Sequence, residues 1–260
     1  MDWHFTLSGL LVGTIVGMTG VGGGSLMTPL LVMLFGIAPA VAVGTDLLYA
    51  GLTKAGGSVV HNRQGGVQWK IALYLAIGSV PSAALTTFAL RQVGHHQESV
   101  STAVRFGLGV MLLISALSIL YRDRLHKFVR HGYSNRWKVS EQTQNIVTIA
   151  LGVALGGLVT LTSVGAGALG AAALALLYPR LSTHQVVGTD IAHAVPLTLV
   201  AGAGHMVLGT VNYWLLASLL LGSLPGIWLG SRYCGRLPER PVRNFLALIL
   251  LVIGGKLVWL

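Results

Sequence analysis

The sequence predicts an all-α protein that crosses a membrane several times and is built from two copies of one helical unit. Of its 260 residues, 53% are hydrophobic and only 9% are charged, whereas soluble proteins average about 25% charged residues. Several apolar stretches reach the roughly 18 residues that a helix needs to cross the ~30 Å hydrocarbon layer of a bilayer. Short motifs also recur in the same order in the two halves of the chain.

Five apolar segments make up the predicted first transmembrane repeat, residues 1–121. They cover about 5–19, 25–38, 40–61, 69–91 and 103–121. The first two have about 15 residues each, so as helices they extend only about 22 Å, which is short of a full span. We therefore expect a broken or re-entrant helical pair, with the glycine-rich turn between them lying near the membrane midplane.

A basic segment, residues 122–144, separates the halves and is predicted to be a cytoplasmic loop. Basic residues beside a transmembrane helix are typical of the cytoplasmic face, where they meet anionic lipid. The net charge of +10 therefore indicates contact with the lipid bilayer and not with nucleic acid. The second repeat, residues 145–260, follows with apolar segments at about 146–162, 168–179, 185–207, 213–233 and 241–259.

The repeat rests on matched motifs. An offset of 144 residues aligns Gly44-Thr45-Asp46 with Gly188-Thr189-Asp190, and His61 with His205. An offset of 143 aligns the first glycine-rich segment with a second one around Gly165. A series of matches in the same order would not easily arise by chance in a chain rich in glycine and leucine.

Each repeat crosses the membrane an odd number of times, whether its first two segments span the bilayer or re-enter from one side. The two repeats are therefore predicted to be inverted relative to one another. With loop 122–144 in the cytoplasm, the loops at 62–68, 180–184 and 232–243 also lie inside and carry further basic residues. Both termini are then predicted to be non-cytoplasmic in a multi-pass protein of the cytoplasmic (inner) membrane.

The two glycine-rich segments form the centre of the predicted binding site. A chain break inside lipid leaves backbone groups unpaired, so it must line a cavity or be covered by protein. Half-helices that begin near Ser25 and near Ala168 would direct free N–H groups at a ligand, which favours an anion. The alternative is that the glycines only allow helices to cross closely. The substrate-binding candidates here are Thr19, Gly22, Gly23, Gly24, Ser25, Ser163, Gly165 and Gly167.

Two of the seven acidic residues, Asp46 and Asp190, lie within apolar segments and are repeat equivalents. An ionisable group in the membrane is energetically costly and indicates function. We therefore expect both to take part in substrate binding, in proton or cation coupling, or in fixing the nearby helix breaks by hydrogen bonding. The alternative is that they cap helix N-termini. Thr45 and Thr189 add hydroxyl groups beside them, although a threonine in a membrane helix often bonds its own backbone.

Three more side chains are candidates for coupling or proton relay. Lys54 follows Asp46 by two helical turns; it could pair with an aspartate, bind the anion, or extend toward the membrane interface. His61 and His205 end their segments and suit either an interfacial position or a proton relay. The lone Cys234 excludes an internal disulfide. No hydrolase, phosphate-loop or zinc motif is found, so the sequence indicates no enzyme, metal or cofactor.

These motifs resemble those of the TauE/SafE family of membrane transporters, the sulfite and organosulfur exporter group. The resemblance rests on Gly20-x-Gly-Gly-Gly-Ser25, on Leu26-x-x-Pro29-Leu30-Leu31, on Ala42 to Asp46, on His61 to Trp69, and on the second copy of each. It implies a secondary transporter for a small sulfur-containing anion such as sulfite, thiosulfate, sulfoacetate or a related sulfonate. The second glycine-rich segment departs from the first at Ala166 and Ala168, so we do not expect a symmetric site.

Other function classes stay open on the sequence alone. A cation or metal-ion carrier would use the paired aspartates and threonines as oxygen ligands. An intramembrane enzyme would need a catalytic pair, and an assembly factor would need a partner surface. The sequence also leaves open whether two chains form a homodimer through glycine-rich helix faces.

Overall fold

The computed structural model describes residues 3–19, 24–93, 105–121, 140–232 and 239–259. The described residues form ten α-helices and no β-strand, which confirms the all-α prediction. In chain order the helices are α1 Trp3–Thr19, α2 Gly24–Met33, α3 Pro39–Arg63, α4 Trp69–Val93, α5 Arg105–Tyr121, α6 Glu141–Thr162, α7 Ala168–Leu177, α8 Thr183–Val207, α9 Tyr213–Arg232 and α10 Glu239–Trp259.

Each predicted apolar segment corresponds to one helix, and the differences lie at the ends. Helix α2 ends at Met33, ahead of the predicted residue 38, because the chain turns through Gly36 at a left-handed φ of 62°. Helix α6 begins at Glu141, inside the predicted loop 122–144, and an acidic side chain is favourable in a first helical turn. The rest of that loop, 122–139, lies outside the described residues.

Local sequence explains where the two central helices begin. Helix α3 starts at Pro39, whose fixed φ suits the first helical position. Helix α8 starts after Ser182, whose hydroxyl accepts from the Gln185 N–H while the Gln185 side chain accepts from the Ser182 N–H. This reciprocal capping box satisfies backbone donors that the helix leaves free.

Three of the described helices, α4, α6 and α8, are long and apolar enough to cross a membrane. Large apolar side chains also face outward on several helices, among them Trp214, Val207 and Leu85, which are 75%, 73% and 69% exposed. A soluble monomer rarely exposes apolar area on this scale. Helices α2 and α7 have ten residues each, so each extends about 15 Å, roughly half a membrane span.

Two helix pairs on the outside pack closely through glycine. Helix α1 lies along α9, and a Cβ atom added to Gly9 would lie 2.3 Å from the carbonyl oxygen of Leu219. Helix α4 lies along α6, and a Cβ added to Gly152 would lie 2.3 Å from the carbonyl oxygen of Leu75. These backbones approach at distances that only glycine permits.

Each of these packing contacts occurs twice. In one copy the glycine belongs to the first half and its partner to the second half, and in the other copy the roles are reversed. Gly9 and Gly152 are 143 residues apart, and their partners Leu219 and Leu75 are 144 residues apart. Gly222 in α9 meets the carbonyl of Thr6, as Gly78 in α4 meets the carbonyl of Ile149. Each half therefore packs its first helix against the fourth helix of the other half.

Helices α3 and α8 form the centre of the structure and pack against each other. Gly51 of α3 lies against Leu199 of α8, and Gly202 of α8 lies against Leu48 of α3. A buried apolar cluster that includes Val43, Leu47, Ala194 and Leu197 surrounds this contact. The polar residues of the candidate site lie on these two helices and on the breaks beside them.

Candidate functional site

The second glycine-rich segment is a break between α6 and α7. Ser163 ends α6 in the left-handed conformation, with φ at 56°, and its N–H donates to the carbonyl of Val159. Gly165 and Gly167 follow with φ values of 115° and 137°, which other residues rarely adopt. Helix α7 begins at Ala168, where the sequence predicted the start of a half-helix. Ser163, Gly165 and Gly167, all predicted site residues, thus shape this break.

The first glycine-rich segment lies between α1, which ends at Thr19, and α2, which begins at Gly24. Helix α2 therefore starts within one residue of the predicted position near Ser25. The site predictions on Gly22 and Gly23 lie outside the described residues, as do those on the side chains of Thr19 and Ser25.

Asp46 connects three segments of the chain. It is fully buried on α3, and its Oδ2 accepts a hydrogen bond from the Thr28 hydroxyl of α2. The same oxygen accepts from the Ser163 hydroxyl at 2.9 Å, across 117 residues of sequence. The carboxylate thus joins the half-helix of the first break, the central helix and the second break.

Asp190 is the repeat equivalent of Asp46 and has different neighbours. It is buried on α8 and lies against α7, where its Oδ1 is 1.9 Å from the position that a Cβ on Gly170 would occupy. A side chain at residue 170 would therefore require this carboxylate to move. Among the described residues, Asp190 Oδ1 is buried and has no hydrogen-bond partner.

The capping alternative for the two aspartates is wrong. Helix α3 begins at Pro39 and α8 at Thr183, so each aspartate is the eighth residue of its helix. A cap must precede the first turn. Both carboxylates instead lie within the central helices. A buried carboxylate there is energetically costly, so we expect it either to be paired with another group or to serve a function.

Lys54 lies inside the protein and not at the membrane interface, which excludes that alternative. The residue is 6% exposed, and its Nζ donates to the carbonyl oxygen of Ala166 at 2.7 Å. Ala166 belongs to the second break. Lys54 also lies within electrostatic range of Asp190 and of Asp46. Its repeat counterpart, Thr198, bonds the carbonyl of Ala194 in its own helix.

Thr45 and Thr189 make the same contact in opposite halves. The hydroxyl of Thr45 accepts from the N–H of Asn212 at 3.0 Å, and that of Thr189 accepts from the N–H of Gln68 at 3.0 Å. Each threonine therefore holds the turn that follows the central helix of the other half. These hydroxyls are engaged within the protein and lie one residue from each aspartate.

His205 and His61 lie at the ends of α8 and α3. His205 is buried; its Nδ1 bonds the Thr210 hydroxyl at 2.8 Å and its Nε2 bonds the carbonyl of Thr160 at 3.0 Å. The ring of His61 lies 5.1 Å from the ring of His184. His205 thus fixes a turn, while the proposed relay role of either histidine stays a prediction.

The chain matches a protein family along almost its whole length. The family model described as sulfite exporter TauE/SafE matches residues 5–257. The chain belongs to the TauE/SafE family. Membership makes it a membrane transport protein, as the resemblance of its motifs implied.

The curated relatives of this TauE/SafE protein carry transporter names. The probable membrane transporter protein YjnA of Bacillus subtilis (strain 168) is 44% identical over 262 residues, covering 99% of this chain and 100% of the relative. YdhB of the same organism, also named a probable membrane transporter protein, is 29% identical, covering 96% and 97%. A probable membrane transporter protein of Xylella fastidiosa (strain Temecula1 / ATCC 700964) is 24% identical, covering 97% and 93%. No solved structure matches.

Sequence reasoning missed two polar residues of the site in this TauE/SafE chain. Thr28, a donor to Asp46, lies between apolar residues in half-helix α2. His193 is buried on α8, three residues after Asp190 and so on the same face of the helix; its Nε2 bonds the Ser79 hydroxyl of α4 at 2.8 Å. A histidine in the interior of an apolar segment, one turn from a buried aspartate, was the signal for it.

Proposed function

We propose that this chain is a secondary transporter that carries a small sulfur-containing anion across the cytoplasmic membrane. Sulfite, thiosulfate, sulfoacetate and related sulfonates are the candidate substrates, and the anion binds between the two glycine-rich breaks. The observation that carries the proposal is the 2.7 Å hydrogen bond from Lys54 Nζ to the carbonyl of Ala166. It brings a buried ammonium group to the second break, next to the first residue of α7.

Two sources of positive potential meet at this break. The N-terminus of α7, at Ala168, presents backbone N–H groups and the positive end of a helix dipole. Lys54 adds a full charge from α3 and has no close ion pair among the described residues. A buried cation that no carboxylate contacts directly can take an anionic ligand, once a proton reduces the charge of the nearby aspartates. Sulfite and sulfonates offer several oxygen acceptors around one sulfur atom, which suits both kinds of donor.

The packing contacts that recur between the two halves of the chain support a pair of inverted repeats. We expect these repeats to rock against each other during transport. Equivalent glycines pack the first helix of each half on the fourth helix of the other. Paired half-helices that break near the midplane are a pattern of transporters with inverted repeats, in which the substrate lies at the repeat interface. In this arrangement both termini are non-cytoplasmic, the basic loop 122–144 is cytoplasmic, and Asp46 or Asp190 couples transport to protons.

The test is uptake of labelled sulfite by proteoliposomes that contain wild-type protein or Lys54→Gln. Removing a charged hydrogen-bond donor costs about 1.5–3 kcal/mol, so we expect saturable uptake at low sulfite to fall by about tenfold or more. Lys256→Gln is the matched control, because Lys256 is an exposed lysine in the last turn of α10. Thiosulfate and sulfonates, added as competitors, rank the substrates. Equal uptake by Lys54→Gln and the control contradicts the proposed site.

A cation carrier is the second candidate, and one observation favours it. Asp190 Oδ1 and Asp46 Oδ1 are buried carboxylate oxygens without a partner among the described residues, and such oxygens are ligands for hard cations. A rise in melting temperature with Na⁺ or Mg²⁺ that is lost in both Asp46→Asn and Asp190→Asn supports the cation carrier. A rise with sulfite that is lost in Lys54→Gln supports the anion transporter.

A further inference from the structure

The two buried aspartates are equivalent in the repeat but not in their surroundings. We propose that Asp190, with His193 as its relay partner, is the group that binds and releases the coupled proton, while Asp46 is a structural cross-link. This inference rests on the proposed function, since it assigns the proton coupling of the same transporter. It also assigns to Asp190 alone the coupling role that the sequence left open for both aspartates.

The two hydroxyl donors to Asp46 have no counterparts at the equivalent sequence positions of the other half. Asp46 accepts from Thr28 and from Ser163. At the offset of 143 residues, the position equivalent to Thr28 is Ala171, and the position equivalent to Ser163 is Gly20. Neither residue carries a hydroxyl. Moving the Asp46 carboxylate would break both contacts. The two donors also favour its ionised form, because a proton on the unpartnered Oδ1 would remove the charge that they stabilise, so Asp46 suits a fixed role.

Asp190 can bind or release a proton at Oδ1 without disturbing a hydrogen bond from a side-chain hydroxyl group of another described segment. Its Oδ1 is buried against Gly170 and has no partner among the described residues. The charged group that acts on it is Lys54 of α3. Helix α7 contains no titratable residue, and the titratable residues of α6 and α4 are Glu141, Lys70, Tyr74 and Arg91, near the helix ends.

His193 lies where a proton from Asp190 could pass on. The two residues are three apart on α8 and therefore on one face. His193 is 1% exposed; its Nε2 bonds the Ser79 hydroxyl, and its Nδ1 is buried without a partner among the described residues. A hydroxyl can donate or accept, so Ser79 can follow a change of protonation at the ring. The equivalent of His193 in the first half is Tyr49, a buried residue that has no imidazole ring to relay a proton.

Charge arithmetic gives the direction of coupling. With both aspartates ionised, one lysine and two carboxylates leave the site with a net charge of −1, which opposes an anion. A proton on Asp190 brings the three groups to neutrality and leaves Lys54 free to attract the substrate. Anion binding is therefore linked to proton binding at Asp190, and the anion and the proton move in the same direction.

The transport test compares two assays in wild-type protein and in variants. Exchange of labelled for unlabelled anion at one pH needs no net proton movement, whereas net uptake driven by a pH gradient does. We expect exchange to remain measurable in Asp190→Asn while the acceleration by the gradient is lost. His193→Gln should lose that acceleration as well. In Asp46→Asn, the pH gradient should still accelerate the uptake that remains, and the protein should melt at a lower temperature. An acceleration that is lost only in Asp46→Asn overturns the proposal.

A second measurement does not depend on knowing the substrate. Infrared difference spectra between low and high pH detect the carbonyl stretch of a buried protonated carboxyl group. The proposal predicts a band that titrates in wild-type protein and in Asp46→Asn, and that is absent from Asp190→Asn. A band lost in Asp46→Asn and kept in Asp190→Asn overturns it, as does the absence of any titrating band in wild-type protein. If wild-type protein shows the band but exchanges none of the anions, the proposed substrate class fails and the proton site stands.

Discussion

The surroundings of Asp46 and Asp190 differ, whereas the packing of the two halves is shared. A Cβ added to Gly9 would lie 2.3 Å from the Leu219 carbonyl oxygen, as one added to Gly152 would from that of Leu75. Thr45 and Thr189 each accept from a backbone N–H at 3.0 Å. The sequence positions equivalent to the two hydroxyl donors of Asp46 are Ala171 and Gly20, and neither residue carries a hydroxyl. The contacts that hold the fold are thus duplicated, while the polar groups at the centre have diverged.

Lys54 shows the same divergence. It reaches the break of the opposite half and donates to Ala166, whereas its counterpart Thr198 bonds only its own helix. Among the described residues, Lys54 is therefore a positive group of the central site without a basic counterpart in the other half, which makes the site asymmetric. The comparison teaches that repeat symmetry identifies the structural residues, and that departures from the symmetry identify the residues to test for function.

The largest expected effect breaks the shared packing. Gly9→Ala and Gly152→Ala each place a Cβ 2.3 Å from a backbone carbonyl oxygen. The helices must separate, at a cost of about 3 kcal/mol or more, because rigid backbone has to move. We expect both variants to melt at a lower temperature by similar amounts. Gly56→Ala is the control, since a Cβ there meets nothing within 4 Å. Clearly unequal losses in Gly9→Ala and Gly152→Ala would show that the two halves do not share this packing.

An intermediate effect sharpens the difference between the aspartates. Ser163→Ala and Thr28→Val each remove a hydroxyl donor from the buried Asp46 carboxylate, which costs about 1–3 kcal/mol for a charged acceptor. The melting temperature should fall in both variants, and Thr28→Ser should recover most of the loss. Thr53→Val is the control, because the Thr53 hydroxyl bonds only carbonyls of its own helix. No loss relative to Thr53→Val would contradict the cross-link.

The smallest effect tests the reciprocal threonine contacts. Thr45→Val and Thr189→Val each leave one backbone N–H without its acceptor, which costs about 0.5–1.5 kcal/mol. We expect equal, modest falls in melting temperature, because the two contacts have the same length. A large loss of transport with unchanged stability in only one variant would instead mark that threonine as a ligand of the anion.

The helices could be predicted from the sequence because apolar length and glycine-rich interruptions are local properties. Half-helix α7 begins at Ala168, as the break at Gly165 and Gly167 indicated. The pairing of Asp46 with Ser163 spans 117 residues, and no local pattern encodes a contact of that range. Lys54 had three plausible environments because a lysine side chain reaches either an interface or a buried partner; only the fold decides between them.

A structure of the protein with thiosulfate or a sulfonate bound tests the central claim most directly. The proposed site predicts the anion within hydrogen-bond distance of Lys54 Nζ and of the first backbone N–H groups of α7, with Lys54 released from the Ala166 carbonyl. Asp46 should keep its bonds to Thr28 and Ser163 in that structure. An anion bound elsewhere, with Lys54 still on Ala166, would contradict the site and the charge linkage built on it.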